Sequence, residues 1–403
     1  MPDNQTYDVA IVGGGLAGGL AALALARLRP DVRLVLIEEG RKLGGNHVWS
    51  FFASDLPGGA EALIEPLISA RWPGYTVRFA GRTRRLGTPY RSIESARFDA
   101  VLRDTLPDGA ILTGTRASAL SPGCVTLADG RAIHAGAVID ARGASALPHL
   151  TGGWQKFVGQ MLRTSAPHGL TEPVVMDAAV AQIDGYRFVY CLPFGENRVF
   201  VEDTYYSDGP ALDVPALRTR IAEYCAGQGW QVAGMESEET GVLPVIAGGD
   251  YRAFRSAMAQ DGVALIGVRA ALFQPLTSYS LPDAVRTALA IARAPDLSGP
   301  ALAAATRELA ARNWRAGHFY RMLVTMLFSA AAPQDRHRVL ARFYGLRQGL
   351  IERFYAGRTT MTDKARILCG KPPVPIGRAI AAIAGRNPIG ALDATSSPAE
   401  GPR

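Results

Sequence analysis

Val9-Ala10-Ile11-Val12-Gly13-Gly14-Gly15-Leu16-Ala17-Gly18 is the stretch whose reading decides the architecture. Four apolar residues make a short strand, and the glycine run turns the chain. The Ala/Leu-rich stretch to Leu28 predicts a buried helix, stopped by Arg29-Pro30, and Val32 to Ile37 predicts a second strand. The unit is β-α-β, with Gly13, Gly15 and Gly18 between strand and helix, which is the context a dinucleotide-binding turn requires. Gly13 permits the tight turn, Gly15 lets a pyrophosphate approach the backbone, and Gly18 packs helix against strand. The helix N-terminus faces the phosphates with its positive dipole end. Glu38 closes the second strand, where a carboxylate accepts hydrogen bonds from ribose hydroxyls and disfavours a 2′-phosphate. The competing reading is a plain β-α-β turn that binds nothing.

The chain has 403 residues, 48% hydrophobic and 20% charged, which predicts two or three sub-structures with a substantial core. No apolar run is long enough for a transmembrane helix. A strand pattern begins at Tyr7, which leaves no room for a signal peptide, so a cytoplasmic location is expected. Cys124, Cys191, Cys225 and Cys369 lie far apart without metal-ligand spacing, and are read as buried free thiols. The histidines are equally scattered, so no metal site is expected. Charge is uneven: from Arg312 to Arg386 fourteen Lys/Arg face three acids, +11, which leaves −4 elsewhere against the net +7. A basic, greasy, helix-patterned end points to peripheral association with an anionic membrane surface; a solvated basic face is the alternative. No nucleic-acid motif accompanies the charge.

Patterning predicts an α/β chain: a Rossmann-like nucleotide domain, which the resemblances quoted below assign to the glutathione-reductase type, a β-rich substrate domain and a helical C-terminal region. The nucleotide domain is discontinuous, over 1–50, 96–154 and 246–298, and residues 51–95 and 155–245 form the β-rich part. Residues 299–390 are helical, basic and membrane-facing, and 391–403 are a disordered tail. Tyr186 to Tyr190 and Arg198 to Tyr206, joined by a Gly-Glu-Asn turn, predict a hairpin. Val263 to Val268 predicts a buried strand, and Phe319, Met322, Leu323, Met326, Leu327 and Ala330 form an apolar helical stripe.

Two further stretches select FAD over NAD. Arg41-Lys42-Leu43-Gly44-Gly45-Asn46 resembles the segment after the ribose-binding acid in glutathione-reductase-like flavoproteins, and Leu265-Ile266-Gly267-Val268-Arg269-Ala270 resembles their second FAD motif. Val268 stands where that motif has an Asp, which removes one expected ribityl contact.

Beyond the nucleotide turn, nearly the whole chain resembles the bacterial lycopene β-cyclases. The resemblance is carried by Gly44-Gly45-Asn46-His47-Val48-Trp49-Ser50-Phe51, Trp72-Pro73, Val138-Ile139-Asp140-Ala141-Arg142-Gly143 and Asp184-Gly185-Tyr186-Arg187-Phe188-Val189-Tyr190. It continues through Val201-Glu202-Asp203-Thr204, Tyr279-Ser280-Leu281-Pro282 and Ala341-Arg342-Phe343-Tyr344-Gly345-Leu346. Arg353-Phe354-Tyr355-Ala356-Gly357 and Gly370-Lys371-Pro372-Pro373-Val374-Pro375 complete it. One loop departs: Gln274-Pro275-Leu276-Thr277-Ser278-Tyr279-Ser280 stands where the family has His-Pro-Thr-Thr-Gly-Tyr-Ser.

The resemblance implies an isomerase acting on lycopene. An acid protonates the terminal double bond, the neighbouring alkene closes the ring, and a proton leaves to give a β-ionone end, so γ-carotene and then β-carotene form. It implies FAD active in its reduced form, beside the cation and without net hydride transfer, with NAD(P)H as electron donor. Other carotenoid-pathway enzymes are candidate partners. The implied cofactor contacts are Gly13, Gly15, Gly18, Glu38, Arg41, Gly45, Asn46, His47, Arg142, Gly267 and Pro275.

Independently of that resemblance, Glu202 sits in an apolar, aromatic strand, an odd place for a carboxylate unless it is paired or working. Strand alternation puts Glu202 with Phe200 and Thr204, and Asp203 with Val201 and Tyr205, on the opposite face. Glu202 is the expected acid, with Asp203 orienting it or bonding nearby backbone; an exposed acid pair on an edge strand is the alternative. Tyr186, Phe188 and Tyr190 share a face and either line a substrate tunnel or pack the core. His47 and Trp49 either touch cofactor or substrate or serve structure. Two other functions stay open on sequence: an FAD-dependent monooxygenase on a hydrophobic substrate, and a non-enzymatic prenyl-lipid escort protein.

Overall fold

The computed structural model describes residues 6–144, 146–369, 377 and 389–393. The first strands are β1 (Tyr7–Val12), β2 (Leu34–Ile37), β3 (Val48–Phe52), β4 (Ala70–Trp72), β5 (Tyr75–Phe79), β6 (Arg82–Leu86) and β7 (Tyr90–Glu94). Next come β8 (Ile111–Leu112), β9 (Ala117–Ser121), β10 (Cys124–Leu127), β11 (Ala132–Asp140) and β12 (Leu150–Thr164). β13 (Val174–Asp177), β14 (Tyr186–Gly195), β15 (Arg198–Ser207), β16 (Val232–Gly249) and β17 (Ala264–Leu265) follow.

The nucleotide-type sheet runs β8-β2-β1-β11-β10-β9, with β17 also paired to β11. β1 lies parallel to both β2 and β11. Val9 to Ile11 have no exposed surface, because helices cover this parallel core. Helix α1 (Leu16–Leu28) is Ala/Leu-rich and buried over most of its length, sharing one apolar cluster with the helix Leu281–Ala292. Gly13 turns the chain at φ +105°, and a Cβ on it would lie 2.8 Å from the Ala141 backbone. Only glycine suits that conformation and approach.

The second sheet runs β16-β12-β15-β14-β13-β5-β6, and the third runs β3-β7-β4. The predicted hairpin is β14/β15, antiparallel with Tyr190 opposite Glu202. Its flanking strands β12 and β16 are long, 15 and 18 residues. The predicted strand 263–268 is shorter than expected: only Ala264 and Leu265 pair, because Gly267 at φ +69° starts a helical turn.

The C-terminal helices pack onto the second sheet. Arg336 is buried there, donating to the carbonyls of Leu327, Phe328 and Tyr206 and pairing with Asp208 at 2.7 Å. The apolar stripe from Phe319 also turns inward: Phe319, Leu327 and Ala330 are buried, and Met322 and Leu323 are half-buried against the same cluster. Its spacing is explained by core packing. No helix of the described residues is long and apolar enough to cross a membrane. The expected tail is ordered at its start, since Ala391 bridges Thr151 and Leu392 is fully buried; residues 394–403 lie outside the described residues. Cys191 and Cys225 are buried free thiols, whereas Cys369 is exposed.

Candidate active site

One cavity of about 880 Å³ runs from the glycine turn to the second sheet. At the nucleotide end, Gly15 caps α1 without any side-chain hydrogen bond, and the first turn carries no acid. The α1 N-terminus therefore opens into the cavity, which Gly15, Leu16 and Ala17 line. A Cβ on Gly15 would meet nothing within 4 Å, whereas one on Gly18 would lie 1.9 Å from the Gly13 carbonyl oxygen. Gly15 thus keeps space open, and Gly18 closes the helix against the turn.

Glu38 lines the same end, its Oε2 accepting from Gly14 N at 2.6 Å and its Oε1 from Gly40 N at 2.7 Å. Each oxygen retains a lone pair for a further donor. Gly45, His47, Arg142 and Gly267 also line the cavity. The Arg142 guanidinium is clamped by Asp140 at 2.9 and 2.8 Å, so its charge is largely met within the protein.

Four expected cofactor contacts are not brought there, Gly18 because it packs behind the turn. Arg41 is exposed, Asn46 donates to the Glu238 carbonyl at 2.7 Å, and Pro275 walls a neighbouring cavity of about 440 Å³. The departing loop instead contributes Ser278 at φ +57°. A non-glycine residue there costs about 1–2 kcal/mol. Its hydroxyl donates to the Pro244 carbonyl at 2.6 Å, which offsets that cost and fixes the loop.

At the other end, Glu202 projects from β15 into an aromatic wall. Tyr190, Phe200, Tyr90 and Tyr279 line the cavity beside it. Thr204 donates to Glu202 Oε1 at 2.5 Å. Burial holds the Glu202 carboxyl well above its ordinary range, Glu239 adds to that, and the Thr204 bond opposes it. A carboxyl so placed favours its protonated, acid form.

Alternation sends Asp203 to the reverse face, fully buried and paired with Arg187 at 2.6 Å. It orients nothing at Glu202; Thr204 does that instead. Tyr190 reaches the cavity, with its hydroxyl 3.1 Å from that of Tyr279. Tyr186 and Phe188 pack in the core, stacked at 5.1 Å. Trp49 lines the cavity while also packing edge-on against Phe98 at 5.2 Å.

Glu239 is the cavity carboxylate that local sequence reading misses. It is buried on β16, 3.1 Å from His47 Nδ1, and accepts from Val48 N. Glu236 and Glu238, on the same strand, pair with surface arginines; alternation turns Glu239 to the face opposite Glu238, but nothing in the acidic run says which face meets the cavity. Only the register with β12 and β15 does.

A family model described as "Lycopene cyclase protein" matches residues 8–381. The lycopene beta-cyclase of Pseudescherichia vulneris is 48% identical over 372 residues, 92% of this chain and 96% of that protein. The lycopene beta-cyclase of Pantoea ananas is 44% identical over 94% of this chain and 98% of its own length. Among solved structures, p-nitrophenol 4-monooxygenase from Pseudomonas putida superimposes with a TM-score of 0.61 at 16% identity, covering 88% of this chain and 99% of that one. A geranylgeranyl bacteriochlorophyll reductase-like protein from Thermoplasma acidophilum does so with a TM-score of 0.55 at 14% identity, covering 94% and 96%. These two likenesses show the shared fold, and the sequence match spans all three of its sheets: the chain belongs to the lycopene cyclase family.

Proposed function

We propose that this chain is a lycopene β-cyclase, an isomerase that closes β-ionone rings on the ends of lycopene with reduced FAD bound and no net redox change. The observation that carries the proposal is Glu202, a buried carboxylic acid in an aromatic wall of the cavity that begins at the glycine turn.

The residues at the turn fit FAD. Open space at Gly15, an uncapped helix N-terminus, Glu38 and Gly267 offer a pyrophosphate seat, a ribose acceptor and a backbone edge in one cavity. Reduced FAD, when bound, supplies negative charge near a carbocation. NAD(P)H serves to reduce it.

The protein's own part is proton handling. Glu202 donates its proton to the inner, CH carbon of the terminal double bond of lycopene; a C–H bond forms as the alkene pair is consumed, and the positive charge is left on the dimethyl carbon. The tertiary cation is attacked by the neighbouring double bond. Tyr190, Phe200 and Tyr279 exclude water there, and their ring faces each attract a cation by about 0.5–2 kcal/mol. Loss of a ring proton to a carboxylate of the site ends the reaction with no net proton consumed. Because the substrate is a bilayer-soluble hydrocarbon, the enzyme takes it from a membrane on which it docks peripherally.

Lycopene-loaded liposomes, incubated anaerobically with the protein and chemically reduced FAD, test the reading. Ring-closed pigment forms without nicotinamide consumption, and Glu202→Gln lowers the rate by about 10²–10⁴-fold. Product that needs oxygen and consumes nicotinamide in proportion favours a monooxygenase; a purified protein without a flavin spectrum, unable to take FAD up, favours the lipid escort.

A further inference from the structure

In the register of the second sheet, Gly159 on β12 stands opposite Glu202 on β15 and opposite Glu239 on β16. Residues paired across strands share a face, and both acids line the cavity. Strands lie about 4.8 Å apart, so the two glutamate backbones are about 10 Å apart, a span their side chains can cover. Gly159 leaves the room. A Cβ there would lie 3.3 Å from Glu202 Oε2 and 2.4 Å from the Phe200 ring.

Two carboxyls that face one dry cavity across a single strand disfavour each other's ionisation, so the pair ionises in two separate steps and the first leaves a proton on one member. The hydrogen bonds decide which. Glu239 Oε2 accepts from Val48 N at 3.1 Å and contacts His47 Nδ1 at 3.1 Å, both of which favour its anion. Glu202 has the Thr204 hydroxyl. The His47 side chain is 44% exposed, so the row Glu202–Glu239–His47 leads from the dry wall toward solvent.

We propose that Glu239 is the positioning residue of the acid: as the anionic member of the pair, held by His47 and the Val48 N–H, it keeps the shared proton on Glu202 and favours its return there after each closure. The inference rests on the cyclase reading. Each closure moves one proton from Glu202 to the alkene carbon and returns one from the ring carbon to the pair, so the count balances. The other titratable groups facing the pair are Tyr190 on β14, Tyr90 on β7 and Tyr279, all held neutral by burial. Asp203 lies behind the sheet with Arg187.

Infrared titration of the carboxyl bands, on protein without cofactor or substrate, tests the pairing. Wild type shows two coupled steps. In Glu239→Gln the Glu202 step moves down by at least about one pH unit, because the neighbouring charge is gone. The high-pH limb of kcat moves with it, kcat falls, and KM stays within about twofold. Glu239→Asp keeps the charge and the two steps, which guards against a Gln variant that folds poorly. A Glu202 step that Glu239→Gln leaves in place, or a loss of activity that lies wholly in KM, overturns the proposal. The infrared reading needs no lycopene, so it separates failure of the pair from failure of the cyclase assignment.

Discussion

Glu202 and Glu239 reach the same cavity from strands on either side of a single glycine, Gly159. Neither is adjacent to the other in sequence or in the hydrogen-bond ladder. Their relationship exists only through the register of β15, β12 and β16, so the acid's environment is a property of the whole sheet. The same sheet physics separates what its substitutions should do.

Gly15 and Gly18 serve the same turn by different means and should fail differently. Gly15→Val places its side chain in open cavity, so the protein folds and loses FAD uptake, measured by flavin fluorescence. Gly18→Ala drives a Cβ toward the Gly13 carbonyl and lowers thermal stability instead. A Gly15→Val protein with wild-type FAD affinity would remove this turn from the cofactor site.

Arg187 and Asp203 form a buried pair away from the cavity. Arg187→Met strands a buried carboxylate and costs about 3–5 kcal/mol by denaturant titration. Replacing both partners with apolar residues is far milder, and cyclisation per folded molecule persists. If Asp203→Asn abolished cyclisation in a stable protein, Asp203 would belong to the chemistry after all.

Asp55 is buried with Oδ1 unpartnered, and burial pushes its carboxyl up to about 7, against the Phe52 N–H that lowers it. A carboxyl raised on folding stabilises the protein fully below its unfolded value of 3.8, and that stability is lost as pH rises through about 7. Across that window wild-type stability should therefore fall relative to Asp55→Asn, and below it the two should run parallel. Chemical denaturation at several pH values checks this; equal slopes across the window would contradict it.

The helical end separates packing from membrane docking. Leu327 is buried, so Leu327→Ala should cost about 2–5 kcal/mol. Folded Leu327→Ala protein should sediment with anionic vesicles as wild type does, less at high salt and less with neutral lipid. Vesicle binding lost in that variant alone would return the stripe to the membrane.

The glycine turn, α1 and the β14/β15 hairpin were legible because each is specified locally: by Gly13-Gly14-Gly15, by an Ala/Leu run, and by alternation around Glu202. Alternation also separated Glu202 from Asp203 correctly, but it could not supply Arg187 as the partner of Asp203. Long-range register was invisible. Glu239 looks like its surface neighbours until β16 pairs with β12, and Pro275 and Asn46 look like cofactor contacts until the loops around them close. The apolar stripe stayed open for the opposite reason: helical spacing specifies a buried face without saying what buries it.

The short return of the chain at Gly390 to Leu392 bears on the order of assembly. Leu392 fills a cluster with Leu147, Leu150 and Trp154, and that cluster also contains Phe273, a wall of the catalytic cavity. Its backbone bonds run to Leu147 and Leu150, residues synthesised long before it. The three sheets can therefore form during synthesis while this seam stays open, its apolar surface exposed to other chains. The cavity wall is sealed from behind only after the chain has been synthesised past Leu392, more than two hundred residues after the cluster's first members.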